Sequence, residues 1–218
     1  IVITAKGIVK NYGNLQVLKG VDIHISKGEI VAITGKSGAG KSTLLHILGT
    51  LDKPDSGIIL FEEKEISKFK NAEISKFRNN EIGFVFQFHY LLPEFTALEN
   101  VCIPGFIAKK PENEVIREGK KLLDYLGLSE RMNHKPGALS GGEQQRVSVA
   151  RALINKPSVI FADEPSGNLD IQSSQELHSL LFKLRNDFNQ TFVLVTHNAE
   201  LAKMSDRCFE MRDGIILV

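Results

Sequence analysis

The sequence predicts an α/β fold, a core of parallel strands and helices interrupted by a helical insertion. Three observations carry that prediction. A glycine-rich loop, Gly35–Ser42, separates a strand-like run from a helix-like run. Two later apolar runs, Val159–Ala162 and Thr191–Thr196, are short, rich in β-branched residues and followed by polar groups, as buried parallel strands are. Between Thr96 and Asn155 the pattern is almost wholly helical.

Taken in order, Ile3–Val9, Val21–Ile25 and Glu29–Thr34 are predicted strands, with β-branched residues between Gly and Asn turns. Ser42–Leu51 is a predicted helix, with Leu44, Leu45, Leu48 and Leu51 on its apolar face. Gly57–Phe61 returns to strand. EISKFK at Glu65–Lys70 recurs as EISKFR at Glu73–Arg78, a spacing near two helical turns. Ile66, Phe69, Ile74 and Phe77 are therefore expected on one amphipathic helix face. Ile82–Phe86 is a strand, and Thr96–Ile103, Glu112–Leu126 and Gly141–Asn155 are helices. Gln172–Phe188 is a helix between the last two core strands, and Arg207–Met211 is a final strand. No linker divides the chain. One domain is expected over 1–218, with a core of 1–87 and 156–218 and a helical subdomain over 88–155.

The bulk properties bound the function. The 218 residues suffice for a large core. A formal net charge of +1, from 27 basic and 26 acidic residues, argues against strong nucleic-acid binding. No apolar run reaches bilayer length and no charged-then-apolar leader opens the sequence, so a cytoplasmic protein is expected, with any membrane association through a partner. The chain starts at Ile1, which leaves its true start open. Cys102 and Cys208 have no disulfide or metal spacing and are expected to be reduced packing residues.

Gly35-Lys36-Ser37-Gly38-Ala39-Gly40-Lys41-Ser42 fits the phosphate-loop pattern G-x-x-x-x-G-K-[ST] between strand and helix. Its glycines let backbone N–H groups turn toward one anion, and the helix start adds partial positive charge. Lys41 is expected to reach the β- and γ-phosphates of a nucleotide, Ser42 to ligate Mg²⁺, and Thr43 to bond a phosphate oxygen. The strand Val159–Ala162 runs into Asp163 and Glu164. Adjacent strand residues face opposite ways, so the two acids can work separately. Asp163 is expected in the Mg²⁺ shell and Glu164 beside the water that attacks the γ-phosphate. His197, at the end of another core strand, is expected to contact the γ-phosphate; the other histidines are given no role.

Leu139–Arg146 reads LSGGEQQR. Ser140 to Glu143 is a capping box, S-x-x-E, and its helix-start N–H groups also suit a phosphate. With the phosphate loop, this octapeptide resembles the signature of ATP-binding-cassette (ABC) ATPases. Further elements of that family follow in order: Tyr12, which matches the aromatic that stacks on adenine, with Val17 beside it; Gln87, which matches the glutamine at Mg²⁺ and the attacking water; and Ser166-Gly167-Asn168-Leu169-Asp170, which matches the loop that crosses the dimer interface. The resemblance covers essentially the whole chain. It departs at Ala39, where Ser or Cys is usual, and at Ser166, where Thr is usual.

The resemblance implies a P-loop NTPase fold of the ABC type, a RecA-like core with an N-terminal antiparallel β subdomain and the helical insertion. It implies ATP and Mg²⁺ as ligands. A homodimer is implied, with each ATP touching Lys41, Ser42, Gln87, Asp163, Glu164 and His197 of one chain and Ser140, Gly141, Gly142 and Glu143 of the other. Asn168 and Asp170 lie at that interface. The run Phe86–Val101, together with ADEPSGNLD and EMRDG, is similar to the ATPase subunits of bacterial lipoprotein-releasing transporters. Macrolide-exporter and cell-division ATPases share much of it. Transmembrane permease partners follow, with this chain peripheral on the cytoplasmic side of the inner membrane. The apolar Phe88–Phe95 stretch is expected in the groove for those partners, with Phe88, Leu91, Leu92 and Phe95 as core residues the alternative. A non-transport ABC protein acting on ribosomes or DNA, and a small-molecule kinase, are the rival classes.

Overall fold

Alternating apolar residues build the first sheet. In the computed structural model, which describes residues 1–217, β1 (Ile3–Tyr12) buries Ile3, Ala5 and Ile8. The Gly13-Asn14 turn reverses the chain into β2 (Leu15–Ile25), and Tyr12 pairs with Leu15. The predicted strand Val21–Ile25 is thus the second half of a longer one; its first half is mostly exposed and carries little apolar alternation. Val218, the end of the expected domain, lies outside the described residues.

β3 (Ile30–Thr34) is buried and leads through the glycine-rich loop into α1 (Lys41–Leu48). Gly49 caps α1 before Leu51, which is exposed rather than on the predicted apolar face. β4 (Ser56–Phe61) and β5 (Lys64–Glu65) complete a sheet of order β2-β1-β4-β5, all antiparallel.

The repeated EISKF segments do not form one helix. Ile66–Lys68 is a single 3₁₀ turn, Phe69 is extended, and α2 (Asn71–Glu81) starts afresh behind a Lys70–Glu73 capping interaction. Ile66, Phe69, Ile74 and Phe77 still meet on one core, and Phe77 packs edge-on against Phe61 at 4.8 Å.

β6 (Ile82–Phe86) precedes the helices α3 (Ala97–Ile107), α4 (Glu112–Tyr125) and α5 (Gly141–Leu153). Then come β7 (Val159–Asp163), α6 (Ile171–Phe188), β8 (Thr191–Val195), α7 (Ala199–Met204), β9 (Arg207–Arg212) and β10 (Ile215–Leu217). The second sheet has the order β10-β9-β3-β8-β7-β6 and is parallel except for β10. The short β5, α7 and β10 had no periodic signal long enough to announce them.

The parallel sheet feeds two cores from alternate residues. Val31, Ile33, Val159, Phe161, Val193 and Val195 join α1 and the antiparallel sheet, whereas Ile160, Ala162, Phe192 and Leu194 join the helical side. Cys102 is buried there as expected, but Cys208 is exposed, its Sγ 3.6 Å from Thr34 Oγ1, and is no packing residue.

Candidate functional site

The strand order places the ends of β3, β7 and β8 side by side, the position where ligands collect in parallel sheets. Between β3 and α1 the loop turns through Gly35 at φ 141°, Gly38 at 79° and Gly40 at 99°, with Gly40 as the N-cap of α1. At Gly35 a Cβ would stand 2.1 Å from the Met211 carbonyl oxygen, so side chains are excluded there. Lys41 is buried, and its Nζ donates to the Gly35 and Lys36 carbonyls, each at 3.0 Å. Lys36, Ser37, Gly38 and Ser42 are exposed, Thr43 is half-buried and Ala39 is buried.

Ser42 Oγ donates to Asp163 Oδ1 at 3.1 Å. His46, one turn further along α1, places Nε2 3.7 Å from Asp163 Oδ2. Glu164 adopts φ 47°, and its backbone N–H donates to the Val195 carbonyl. That left-handed step turns its carboxylate toward His197: Oε2 accepts from the His197 N–H at 3.1 Å, and Oε1 lies 3.3 Å from His197 Nε2. Gln87 Nε2 donates to Asn168 Oδ1 at 2.8 Å, and Asn168 Nδ2 donates back to the Gln87 carbonyl. Ser42, His46, Gln87, Asp163 and Glu164 line one cavity of about 260 Å³, together with Phe86, Phe88 and Tyr90.

Ser140 caps α5 through the reciprocal bonds of a capping box, Glu143 N–H to Ser140 Oγ and Ser140 N–H to Glu143 Oε2. The Ser140 N–H, followed by the Arg131 guanidinium, holds the Glu143 carboxyl below its ordinary range. Among the described residues no hydrogen bond joins Ser140, Gly141, Gly142 or Glu143 to the phosphate loop. They adjoin the start of α6 instead, where Asp170 accepts from the Ser173 N–H and hydroxyl.

Tyr12 is 51% exposed at the end of β1, and its hydroxyl donates to Asp52 Oδ2 at 2.7 Å. Val17 is half-buried, and its carbonyl oxygen would meet a Cβ at Gly40 or Gly214. The stretch after Gln87 divides: Leu91 packs on the helical core, whereas Phe88, Tyr90, Leu92 and Phe95 are exposed. The core alternative is therefore wrong for Phe88, Leu92 and Phe95.

Three participants escaped the sequence reading. His46 stands four residues after Ser42, which is one helix face, and that spacing was a usable signal. Gln145 is fully buried inside LSGGEQQR and donates to the Pro165 carbonyl at 2.6 Å, tying α5 to the segment after Glu164. Asp52 gives no local sequence signal, because its partners are far away in the chain.

A family model described as ABC transporter matches residues 18–167. A lipoprotein-releasing system ATP-binding protein LolD of Bacteroides fragilis is 59% identical over 97% of this chain and 98% of that protein. Its namesake from Cytophaga hutchinsonii is 56% identical over 99% of both. Among solved structures, the dimeric bacterial ABC transporter cassette MJ0796 superposes with a TM-score of 0.90 at 39% identity, covering 99% of this chain and 97% of that one. The same cassette in a dimeric post-hydrolysis state bound to ADP and Pi gives 0.89 at 38% identity, with the same coverage of each chain.

Proposed function

The chain belongs to the ABC transporter family, as an ATP-hydrolysing nucleotide-binding subunit, and on that premise we propose that it powers the release of lipoproteins from the inner membrane. The cargo reading is supported by relatives named as lipoprotein-releasing ATP-binding proteins along the full chain. The observation that carries the chemistry is the convergence of Ser42, Gln87, Asp163 and Glu164 on one cavity beside the phosphate loop.

In this reading the triphosphate lies along the N–H groups of Gly38 to Thr43, and Lys41 turns from its loop carbonyls to the β- and γ-phosphates. Glu164 orients the attacking water and accepts its proton, and His197, held beside that carboxylate, contacts the γ-phosphate. Tyr12 stacks on adenine, with Val17 beside it.

The residues present suit Mg²⁺. Ser42 Oγ and the Asp163 carboxylate are hard oxygen donors in contact, and Gln87, whose Nε2 is engaged by Asn168, has Oε1 left to offer. Mg²⁺ keeps several waters and takes few protein ligands, so these few oxygens suffice. Bound there, the ion would offset negative charge on the phosphates.

Two copies sandwich two ATP molecules. Among the described residues Ser140 to Glu143 make no hydrogen bond to their own phosphate loop, and this capped helix start is assigned to the ATP of the other copy. Asn168 and Asp170 flank that interface. Among the described residues no helix is long and apolar enough to cross a membrane. Attachment to the cytoplasmic face of the inner membrane is therefore assigned to permease subunits, which dock near the exposed Phe88, Tyr90, Leu92 and Phe95.

Affinity purification of the chain from gently solubilised native membranes, with mass spectrometry of its partners, tests this reading. Co-purification of membrane-spanning subunits with lipoprotein is expected. A macrolide exporter or cell-division partner would overturn the cargo, and recovery only with ribosomes or DNA would overturn the transporter assignment.

A further inference from the structure

The end of β1 is strapped to the loop that leaves α1. Lys10 is only 8% exposed, an unusual burial for a lysine, and its Nζ donates to Asp52 Oδ1 at 2.8 Å and to the Lys53 carbonyl at 2.7 Å. Asn11 donates through its backbone N–H and its Nδ2 to Asp55 Oδ2, at 2.6 and 2.9 Å. Tyr12 donates to the second oxygen of Asp52 at 2.7 Å, and the Lys10 ammonium stands 5.2 Å from the centroid of the Tyr12 ring. Three consecutive strand residues thus grip one short loop. That loop follows α1, whose first residue is Lys41 of the phosphate loop.

We propose that Asp52 is a positioning residue for nucleotide binding: anchored by Lys10, it holds the exposed Tyr12 ring at one orientation, and at a fixed offset from the phosphate loop, for stacking on the base. The inference rests on the assignment of Tyr12 to adenine. An exposed tyrosine samples several rotamers, and a ring already held loses less freedom when a base stacks on it. A carboxylate shared between an ammonium and a phenol supplies that hold, and charge-assisted hydrogen bonds are the stronger kind. In keeping with this geometry, the hydrogen bond to Asp52 raises the Tyr12 phenol above its ordinary pKa and raises the Lys10 ammonium likewise.

The test uses the full chain and steady-state ATP hydrolysis, with tripolyphosphate as a competitor that has phosphates but no base. Tyr12→Phe keeps the ring and removes the phenol that Asp52 holds; Asp52→Ala removes the same contact from the other side, together with the Lys10 ion pair and the Lys53 N–H bond. Each is expected to raise the KM for ATP about threefold to tenfold, the size of one net hydrogen bond, with kcat within about twofold of the parent. The double variant should be no worse than the poorer single, because both break the same contact. Asp52→Asn, which keeps an acceptor for the phenol, should recover part of the loss, and inhibition by tripolyphosphate should not change. An unchanged KM in Tyr12→Phe, additive losses, or tripolyphosphate weakening in step with ATP would overturn the proposal. Tyr12→Ala separates the two layers. If it alone raises KM, the stacking assignment stands and the positioning role of Asp52 fails; if it too is silent, the stacking assignment itself fails.

Discussion

Ser42 Oγ and Asp163 Oδ1 lie 3.1 Å apart although 121 positions separate them in the chain. The sheet order makes this contact: β3 and β7 flank β8, so the loop after the first and the carboxyl end of the second open onto the same crevice. The two oxygens are a ready pair of hard donors. Ser42→Ala should therefore raise the Mg²⁺ concentration needed for half-maximal phosphate release, by about tenfold, the worth of ~1.4 kcal/mol at a charge-assisted contact. Ser42 is exposed, so the thermal midpoint should barely move. An unchanged Mg²⁺ titration would remove Ser42 from the metal shell.

Gly35 and Gly38 should respond differently to alanine. At Gly35 the added Cβ meets the Met211 carbonyl at 2.1 Å with φ at 141°, whereas at Gly38 it meets nothing within 4 Å and only the φ of 79° resists. Gly35→Ala should cost about 3 kcal/mol or more, and Gly38→Ala about 1–2 kcal/mol. Denaturant unfolding of the two variants checks the order, and equal losses would contradict it.

Glu143 makes part of the stability pH-dependent. Its carboxyl is held low by the Ser140 N–H and then by Arg131, so the folded state favours the charged form. A depressed folded pKa contributes stability above the unfolded value of roughly 4.3, and loses it as the pH falls through the folded value. Glu143→Gln should melt lower than the parent at pH 7, and the gap should close as the pH falls through the folded value. A constant gap across that range would contradict the assignment.

The two thiols should differ in reactivity. Burial pushes Cys102 up to about 11, whereas Cys208 is exposed. Alkylation of the folded chain at pH 8 should label Cys208 and spare Cys102, and denaturant should expose both. Intact mass followed by peptide mapping distinguishes the outcomes.

The fold was legible where a periodic run was long and its neighbours in sequence explained it. β3, β6, β7, β8 and the helices α4 to α6 fall close to their predicted bounds because each buries a contiguous face, whereas α3 runs through Pro104 to Ile107, a turn past its predicted end at Ile103. The EISKF echo misled because periodicity does not register a break: Phe69 turns extended between the 3₁₀ turn and α2. Leu51 misled because Gly49 stops α1 a turn earlier. In the site, the motif residues were legible from local pattern. Asp52 and Gln145 were not, since their importance comes from bonds to Tyr12, Lys10 and Pro165 that only the folded chain brings together. Glu164 shows the same limit: its neighbourhood was readable, but the turn at φ 47° that points its carboxylate at His197 was not.

The measurement closest to the central claim is phosphate release by Glu164→Gln, read beside its oligomeric state with Mg²⁺ and ATP on a sizing column. The variant keeps the phosphate loop and the Ser42–Asp163 pair, so ATP should bind and hold two copies together, while turnover falls by about 100-fold or more through loss of the general base. Near-normal turnover would take the catalytic role from Glu164. A variant that binds ATP but stays monomeric would take away the shared site between two copies.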